Sequence, residues 1–231
     1  MKRVMHALCA GVFALFALVS CSKSVDNGGY NNGNNQNNNG STNGNNSKSL
    51  NIPVEAKAII PEETLHQIRA QGMPIYEGTN PPNIEGIFAT GILKMIYTSL
   101  NYDPFPIGKE IESYRFKFYE QRGTKIKTDY INEDILANDQ ATGRGTIISG
   151  NGNKFTAYLD MDITDVEIKT RDVSVLSGEI TPEGIKNFQY AFLKMEKTGD
   201  FSERMVPVGT IRIWISKDKL AIKKQEYPYG N

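Results

Sequence analysis

The sequence predicts an all-β fold, an antiparallel up-and-down meander of about eight strands closed as a barrel and preceded by one short helix. Hydrophobic and polar residues alternate with a period of two in many successive segments. Turn residues such as Gly and Asn separate those segments. Between them there is no helical pattern of the length that a crossover between parallel strands needs, which indicates antiparallel pairing.

The composition limits the functional classes. The chain has 231 residues, with 26 basic and 26 acidic side chains and 39% hydrophobic residues. These values exclude a collagen, a coiled coil and a polytopic membrane protein. Because binding to a phosphate backbone needs an excess of Lys and Arg, we expect no nucleic-acid partner.

Residues 1–20 are predicted to be a lipoprotein signal peptide, with a basic start and an apolar run over residues 4–19. The run is shorter than the roughly 20 residues of a membrane-spanning helix. It ends in LVSC at residues 18–21, which resembles the bacterial lipobox and implies lipidation of Cys21. A secretory signal with a coincidental cysteine is the alternative.

Lipidation at Cys21 would make the membrane a partner through an anchor. The only other cysteine, Cys9, would leave with the signal, so we expect neither a disulfide nor thiol chemistry in the mature chain. The expected location is the cell envelope, at the outer membrane, on either its periplasmic or its surface face.

Residues 21–50 are rich in Asn and Gly and have no apolar period, so we expect a flexible tether with a typical span of roughly 30 Å. A prion-like cross-β segment is the alternative. Residues 51–231 then form the single β domain.

The predicted helix begins at Pro61, which suits a first helical turn, and two glutamates follow it. Leu65 and Ile68 form its apolar edge, and Gly72 ends it. Prolines then keep the chain irregular up to about Ile84.

Beyond that point the strands follow one another. The clearest is at residues 154–163, where five apolar residues alternate with polar ones, and the Asn151-Gly152 pair before it is the strongest hairpin signal. The remaining strands are expected at 86–98, 114–119, 124–132, 143–150, 172–181, 186–197, 211–216 and 219–226. Closure into a barrel removes exposed strand edges, and a β-sandwich is the alternative. The interior of such a barrel has room for side chains or one small ligand.

Two segments carry a resemblance to a known family. GMPIYEGTNPPNIEG at residues 72–86 and SGEITPEGIKNFQYAF at residues 177–192 resemble uncharacterised secreted lipoproteins of the Bacteroidota. The resemblance implies a lipocalin-like (calycin-like) β domain and brings no known activity. Gly86-Ile87-Phe88 is similar to the Gly-x-aromatic start of lipocalins, with Phe88 where Trp is usual.

Three aromatic residues are the candidate ligand-binding residues. Trp214 falls on the polar face of its predicted strand, where an exposed indole would be a platform for apolar or sugar rings. Tyr114 and Tyr190 belong to aromatic triplets on two other strands. The alternative is structural: the triplets fill the core, and Trp214 covers the helix or a barrel rim.

No catalytic residue, metal site or cofactor is expected. The single mature histidine, His66, cannot build a multi-histidine site. Asp160, Asp162 and Asp165 are conceivable calcium ligands, but alternation already demands polar residues on that strand face.

Paired carboxylates raise the possibility of glycoside hydrolysis. The pairs are Glu110 with Glu112 and Glu77 with Glu85, and a structural role is preferred for both. The sequence therefore favours a lipid-anchored, non-enzymatic module for a small apolar or glycan-like ligand. The alternative is an envelope assembly protein that docks on a partner protein.

Overall fold

The computed structural model describes residues 48–134, 140–165, 168–201 and 203–228. The predicted signal peptide, Cys21 and the tether up to residue 47 lie outside these ranges. What was expected of them stays a prediction.

The described residues form two short helices and eleven strands. The helices are α1 (Val54–Ile59) and α2 (Glu62–Ala70). The strands are β1 (Gly86–Ala89), β2 (Leu93–Thr98), β3 (Glu110–Ile111), β4 (Tyr114–Arg122), β5 (Lys125–Asn132), β6 (Gln140–Asn151), β7 (Lys154–Asp165), β8 (Ile168–Thr181), β9 (Gly184–Thr198), β10 (Ile211–Ser216) and β11 (Leu220–Lys224).

The strands belong to one sheet with the order β11-β1-β4-β5-β6-β7-β8-β9-β10-β2-β3. An additional pairing joins β11 to β9, so eight strands (β1, β4 to β9 and β11) close into what we call the strand ring. Neighbouring strands pair antiparallel throughout. This confirms the predicted antiparallel meander, and one sheet is present where the alternative β-sandwich would have two.

The three short strands β2, β3 and β10 continue the strand ring beyond β1, β4 and β11. Ala89 of β1 pairs with Arg115 of β4, and Leu93 of β2 pairs with Ile111 of β3. The pairing of β2 with β3 therefore continues the pairing of β1 with β4 in the same register. β9 pairs with β11 through its first residues and with β10 further along. These extensions build up the wall of the strand ring at one end.

The two ends of the strand ring differ in their connections. Short turns join β4 to β5, β6 to β7 and β8 to β9 at one end, which we call the turn end. The opposite end, the loop end, carries the connection at residues 99–109 and the described parts of the connection at residues 199–210. Binding residues are commonly placed on such longer loops over a rigid sheet.

Two hydrophobic clusters hold the fold together. One fills the strand ring and includes Phe116, Phe155 and Phe188, each 0–1% exposed. The other packs the helices against the outer face of the sheet, where Leu65 of α2 belongs to the same cluster as Ile213 of β10. Part of the sheet is therefore buried on both faces, with the helices covering its outer face.

This second cluster corrects two predictions made from alternation. Tyr158, one of the residues on the polar side of the alternation at 154–163, is fully buried, and its hydroxyl lies 2.8 Å from Ser149 Oγ. β10 is buried on both faces at Ile211–Trp214, because Ile211 and Ile213 belong to the cluster under the helices.

The predicted helix is confirmed as α2, but the expectation of a single helix is wrong because α1 precedes it. α1 has only six residues and no side-chain cap at Pro53, which is too little to show a helical period in sequence. The packed region extends back to Leu50, which is 3% exposed and donates its backbone N–H to the Glu62 carboxylate. The hydrogen bond from the Leu50 N–H is the largest cause that lowers the pKa of the Glu62 carboxyl group to about 2.

Candidate ligand-binding site

A pocket of about 490 Å³ lies at the loop end of the strand ring. Its walls come from the 99–109 connection, from β3 and the segment leading into β4, and from β9 and β10. Tyr114, Tyr190 and Trp214 all line it. The structure thus brings the three candidate ligand-binding residues to one place.

Trp214 lies inside the wall of the pocket and not on the surface. It is 2% exposed and belongs to the cluster that fills the strand ring, so the expectation of an exposed platform is wrong. The physical reason is that the helices cover the opposite face of β10, where Ile213 packs, which leaves the interior to Trp214. The Phe105 ring meets the indole edge-on, with 6.4 Å between centroids.

The indole nitrogen of Trp214 has an unused hydrogen-bonding capacity. Nε1 is buried and has no hydrogen-bond partner among the described residues. Leaving a buried N–H unpaired costs about 1–3 kcal/mol, so such groups in native proteins call for an explanation. A ligand oxygen in the pocket would supply one.

An aromatic wall continues from Tyr114 across the pocket. The centroids of Tyr114 and Tyr190 are 6.2 Å apart, and those of Tyr190 and Phe192 are 6.4 Å apart. Asn132 Nδ2 donates to Tyr114 Oη at 3.2 Å. The two tyrosines stand next to each other because β4 and β9 face one another across the interior of the strand ring.

A buried ion pair fixes the 99–109 connection against β10. Arg212 Nε donates to Asp103 Oδ2 at 2.9 Å and Nη2 donates to Oδ1, while the two side chains are only 9% and 3% exposed. Thr98 Oγ1 and the Phe105 backbone N–H also donate to the carboxylate, at 2.5 and 2.8 Å. Burial alone would raise the pKa of Asp103, but the hydrogen bonds from Arg212, Thr98 and Phe105 outweigh it and lower the pKa.

The ion pair also positions Phe105 over the pocket. The Arg212 guanidinium carbon lies 4.7 Å from the centroid of the Phe105 ring, which is a cation–π geometry. Lys109 Nζ lies 5.5 Å from the same centroid. Phe105 therefore contacts two cations and packs nearly perpendicular to the Trp214 ring, at an interplanar angle of 83°.

Charged residues form the rim of the pocket. Glu110, Glu112 and Asp134 contribute carboxylates, and Lys109 contributes an ammonium group. Glu110 pairs with Lys217, with 3.0 Å between Oε1 and Nζ. Glu110 and Glu112, one of the carboxylate pairs noted in the sequence, thus both line the pocket.

The other residues singled out in the sequence lie elsewhere. Asp160 accepts two hydrogen bonds from Arg171, at 2.8 and 2.9 Å, and Glu77 accepts one from the Asn51 backbone N–H. The side chain of Asp165 lies outside what the structure describes. Over the described ranges, His, Cys, Asp and Glu side chains form no group of three or more that could hold a metal ion. No helix within those ranges is long and apolar enough to span a bilayer.

Sequence reasoning missed the part of the site that the 99–109 connection supplies. Asp103 and Arg212 are separated by 109 positions, and no local pattern links them. Lys109 and Phe105 lie in a segment without periodicity. Only the register between β2 and β10, in which Thr98 faces Arg212, brings these residues together.

Comparison of the chain with models of known families, with curated proteins and with solved structures finds no match. The resemblance to lipoproteins of the Bacteroidota therefore stays a prediction. The functional proposal depends on the pocket itself and on the sequence.

Proposed function

We propose that this protein is a non-enzymatic binding module that holds a small apolar or glycan-like ligand in the pocket at the loop end. The observation that carries the proposal is the combination of an aromatic wall with the unpaired, buried Nε1 of Trp214. The pocket volume of about 490 Å³ falls within the range of about 300–1,000 Å³ that small-ligand sites occupy. In this proposal, a lipid on Cys21 and the Asn/Gly-rich segment tether the module to the cell envelope.

The charge pairs support binding over catalysis. General acid–base hydrolysis of a glycoside needs two carboxyl groups that face each other across the substrate. Glu110 is held by Lys217, and Asp103 is enclosed by Arg212 and Thr98. These carboxylates therefore serve to position Lys217 and the loop.

A specific surface favours a second candidate function, docking on a partner protein. Tyr102 and Ile107 of the 99–109 connection are 96% and 60% exposed, and Phe201 and Val208 of the 199–210 connection are 98% and 56% exposed. The 99–109 connection begins beside the end of the 199–210 connection, since the Ser99 N–H donates to the Ile211 carbonyl at 2.9 Å. We call these four residues the loop-tip surface.

One pair of variants separates the two functions. Phe105→Ala removes a ring from the pocket, and Phe201→Ala removes the same ring from the loop-tip surface. Native mass spectrometry of the full chain against a panel of lipids and sugars would detect ligand binding. The proposed function predicts that Phe105→Ala weakens binding and that Phe201→Ala leaves it unchanged.

Crosslinking in intact cells provides the complementary measurement. A specific protein adduct that is lost in Phe201→Ala and kept in Phe105→Ala would favour docking on a partner. A panel in which no lipid or sugar binds the wild-type chain would contradict the proposed binding module.

A further inference from the structure

The loop-tip surface gathers most of the large apolar side chains that are exposed over the described ranges. Seven such side chains are exposed there, and four of them form the loop-tip surface. Both aromatic rings among the seven, Tyr102 and Phe201, belong to it. Single apolar residues scattered over a surface are normal, whereas a group at one end of a molecule marks a contact site.

Buried acidic residues hold the two rings out from the domain. Tyr102 directly precedes Asp103, whose side chain is 3% exposed within its ion pair to β10. Phe201 directly follows Asp200, whose side chain is 2% exposed and lies 2.9 Å from Lys197 Nζ of β9. Each ring therefore protrudes from a segment that an ion pair fixes to a strand.

The extent of this exposure favours a bilayer over a protein as the occupant. At 96% and 98% exposure, Tyr102 and Phe201 touch almost nothing of their own domain, so they form no shaped surface with it. A stable protein interface needs a well-packed patch of about 800 Å² on each partner. The interface of a bilayer is fluid and takes up protruding aromatic and aliphatic side chains at the level of the headgroups.

The charges at this end fit a zwitterionic lipid surface. Asp103 and Asp200 are paired with basic side chains. The exposed charged residues at the described positions of the two connections have both signs, namely Lys109, Glu203 and Arg204. The rim of the pocket adds carboxylates. Because groups of both signs meet here, a zwitterionic headgroup fits better than a uniformly anionic one.

The chain outside the structure is long enough to allow this contact. The described residues begin at the turn end, where the Gly78 N–H donates to the Asn51 carbonyl and the Gly150 N–H donates to Gly78, at 2.7 and 3.1 Å. The 12 residues of β7 span about 40 Å. The 27 residues from Cys21 to Ser47 can extend to about 90 Å. A lipid on Cys21 would therefore let the loop end reach the same bilayer.

We propose that the loop-tip surface docks on a zwitterionic lipid bilayer, with the rings of Tyr102 and Phe201 among the headgroups and Ile107 and Val208 beside them. Docking on a bilayer goes beyond the proposed function, because it needs no ligand in the pocket. The pocket opens at the same end, so an apolar ligand would pass between the bilayer and the pocket with little exposure to water.

The test labels the full chain, with Cys9 and Cys21 replaced by Ser, at a single new cysteine. Val208→Cys puts a bimane fluorophore on the loop-tip surface and leaves both rings in place, and Asn153→Cys puts it at the turn end as the matched control. Phosphatidylcholine vesicles should shift the emission of the first label to shorter wavelength and leave that of the second unchanged. Because residues 1–20 are present in both chains, their own affinity for lipid cannot produce the difference.

Variants of the rings examine the contact itself. The double variant Tyr102→Ala/Phe201→Ala should lower the vesicle affinity read from the Val208 label about tenfold. Both side chains are exposed, so far-UV circular dichroism should show the wild-type fold. Val54→Ala removes an exposed apolar side chain from α1, away from the loop end, and should dock as the wild type does.

The outcomes separate this inference from the proposed function. A loop-tip label that vesicles leave unchanged, or an equal response of both labels, would overturn the inference. A protein adduct in intact cells that depends on Phe201, without a response to vesicles, would overturn it in favour of a partner protein. If docking fails while a lipid or sugar still binds, the binding module stands alone. Docking by a chain that binds no ligand of the panel would support the inference and contradict the proposed function.

Discussion

The Asp103–Arg212 pair shows how a buried charge can shape a binding site. Both side chains are nearly excluded from water, and each cancels the charge of the other. Removing one partner of such a pair leaves an uncompensated buried charge, which is more costly than losing an exposed pair. The pair thus ties the pocket wall to the stability of the fold.

Asp103→Ala is therefore expected to lower the free energy of unfolding by about 3–5 kcal/mol. Glu110→Ala, which breaks a pair whose side chains are 42% and 53% exposed, should cost about 0–1 kcal/mol. Urea denaturation followed by far-UV circular dichroism measures both. Equal losses in the two variants would refute the assignment of a structural role to the buried pair.

The lowered pKa of Asp103 predicts a pH dependence. A carboxyl group whose pKa is lower in the folded state stabilises the fold above its unfolded pKa of about 3.9. That contribution is lost as the pH falls through the folded pKa. The stability difference between wild type and Asp103→Ala should be constant from pH 7 to about 5 and shrink below about 4. Urea midpoints measured across this range would contradict the argument if the difference grew in acid.

Trp214 illustrates what a residue pattern can and cannot predict. Its importance could be inferred, because a large ring at a polar position of an alternating strand is unusual. Its burial could not, because the alternation of β10 does not reveal that helices far earlier in the chain cover Ile211 and Ile213. The face assigned to Trp214 was therefore wrong.

Among the elements, the seam between β9 and β11 closes the strand ring. Gly184 pairs with Ile222 there, at a φ of +148°. A Cβ on Gly184 would lie 2.1 Å from the Ala221 carbonyl oxygen. It would also lie 3.0 Å from the Lys223 nitrogen. Because both atoms belong to the backbone, neither can move aside to make room for a side chain at this position.

Gly184→Ala is expected to destabilise the protein by about 2–4 kcal/mol, through overpacking and backbone strain. Gly145→Ala is the matched control, since a Cβ there meets nothing within 4 Å and the position is exposed. It should change stability by no more than about 0.5 kcal/mol. Thermal unfolding of both variants measures these changes in stability. An unchanged stability of Gly184→Ala would mean that the seam does not need the close approach of β9 to β11 at this position.

The strands were largely predictable because alternation is a local property. The segment expected at 154–163 forms β7, and the Asn151-Gly152 signal marks the turn before it, with Gly152 at a φ of +64°. α1 was not predictable, since six residues with one buried alanine carry too little pattern. The same limit applies to β8, where the helices hide the alternation by burying Val173 and Val175 on the outer face.

For the whole molecule, the asymmetry between its two ends explains where a site can form. Short turns and buried Phe side chains occupy the turn end, while the long connections gather at the loop end. The closed meander follows from sequence, because successive two-faced strands must hide their edges. The pocket does not, because it depends on loop residues that meet only once the strand ring has closed.

The central claim is that the pocket beside Trp214 is the ligand site, and the indole signal in a ¹H–¹⁵N correlation spectrum tests it most directly. Trp214 is the only tryptophan, so the spectrum holds one such signal. During titration with a lipid or sugar that binds the chain, the account predicts a saturable shift of the indole signal while the amides of Gly123 and Gly152 at the turn end stay in place. Shifts confined to the turn end, or an indole signal that the bound ligand does not move, would contradict it.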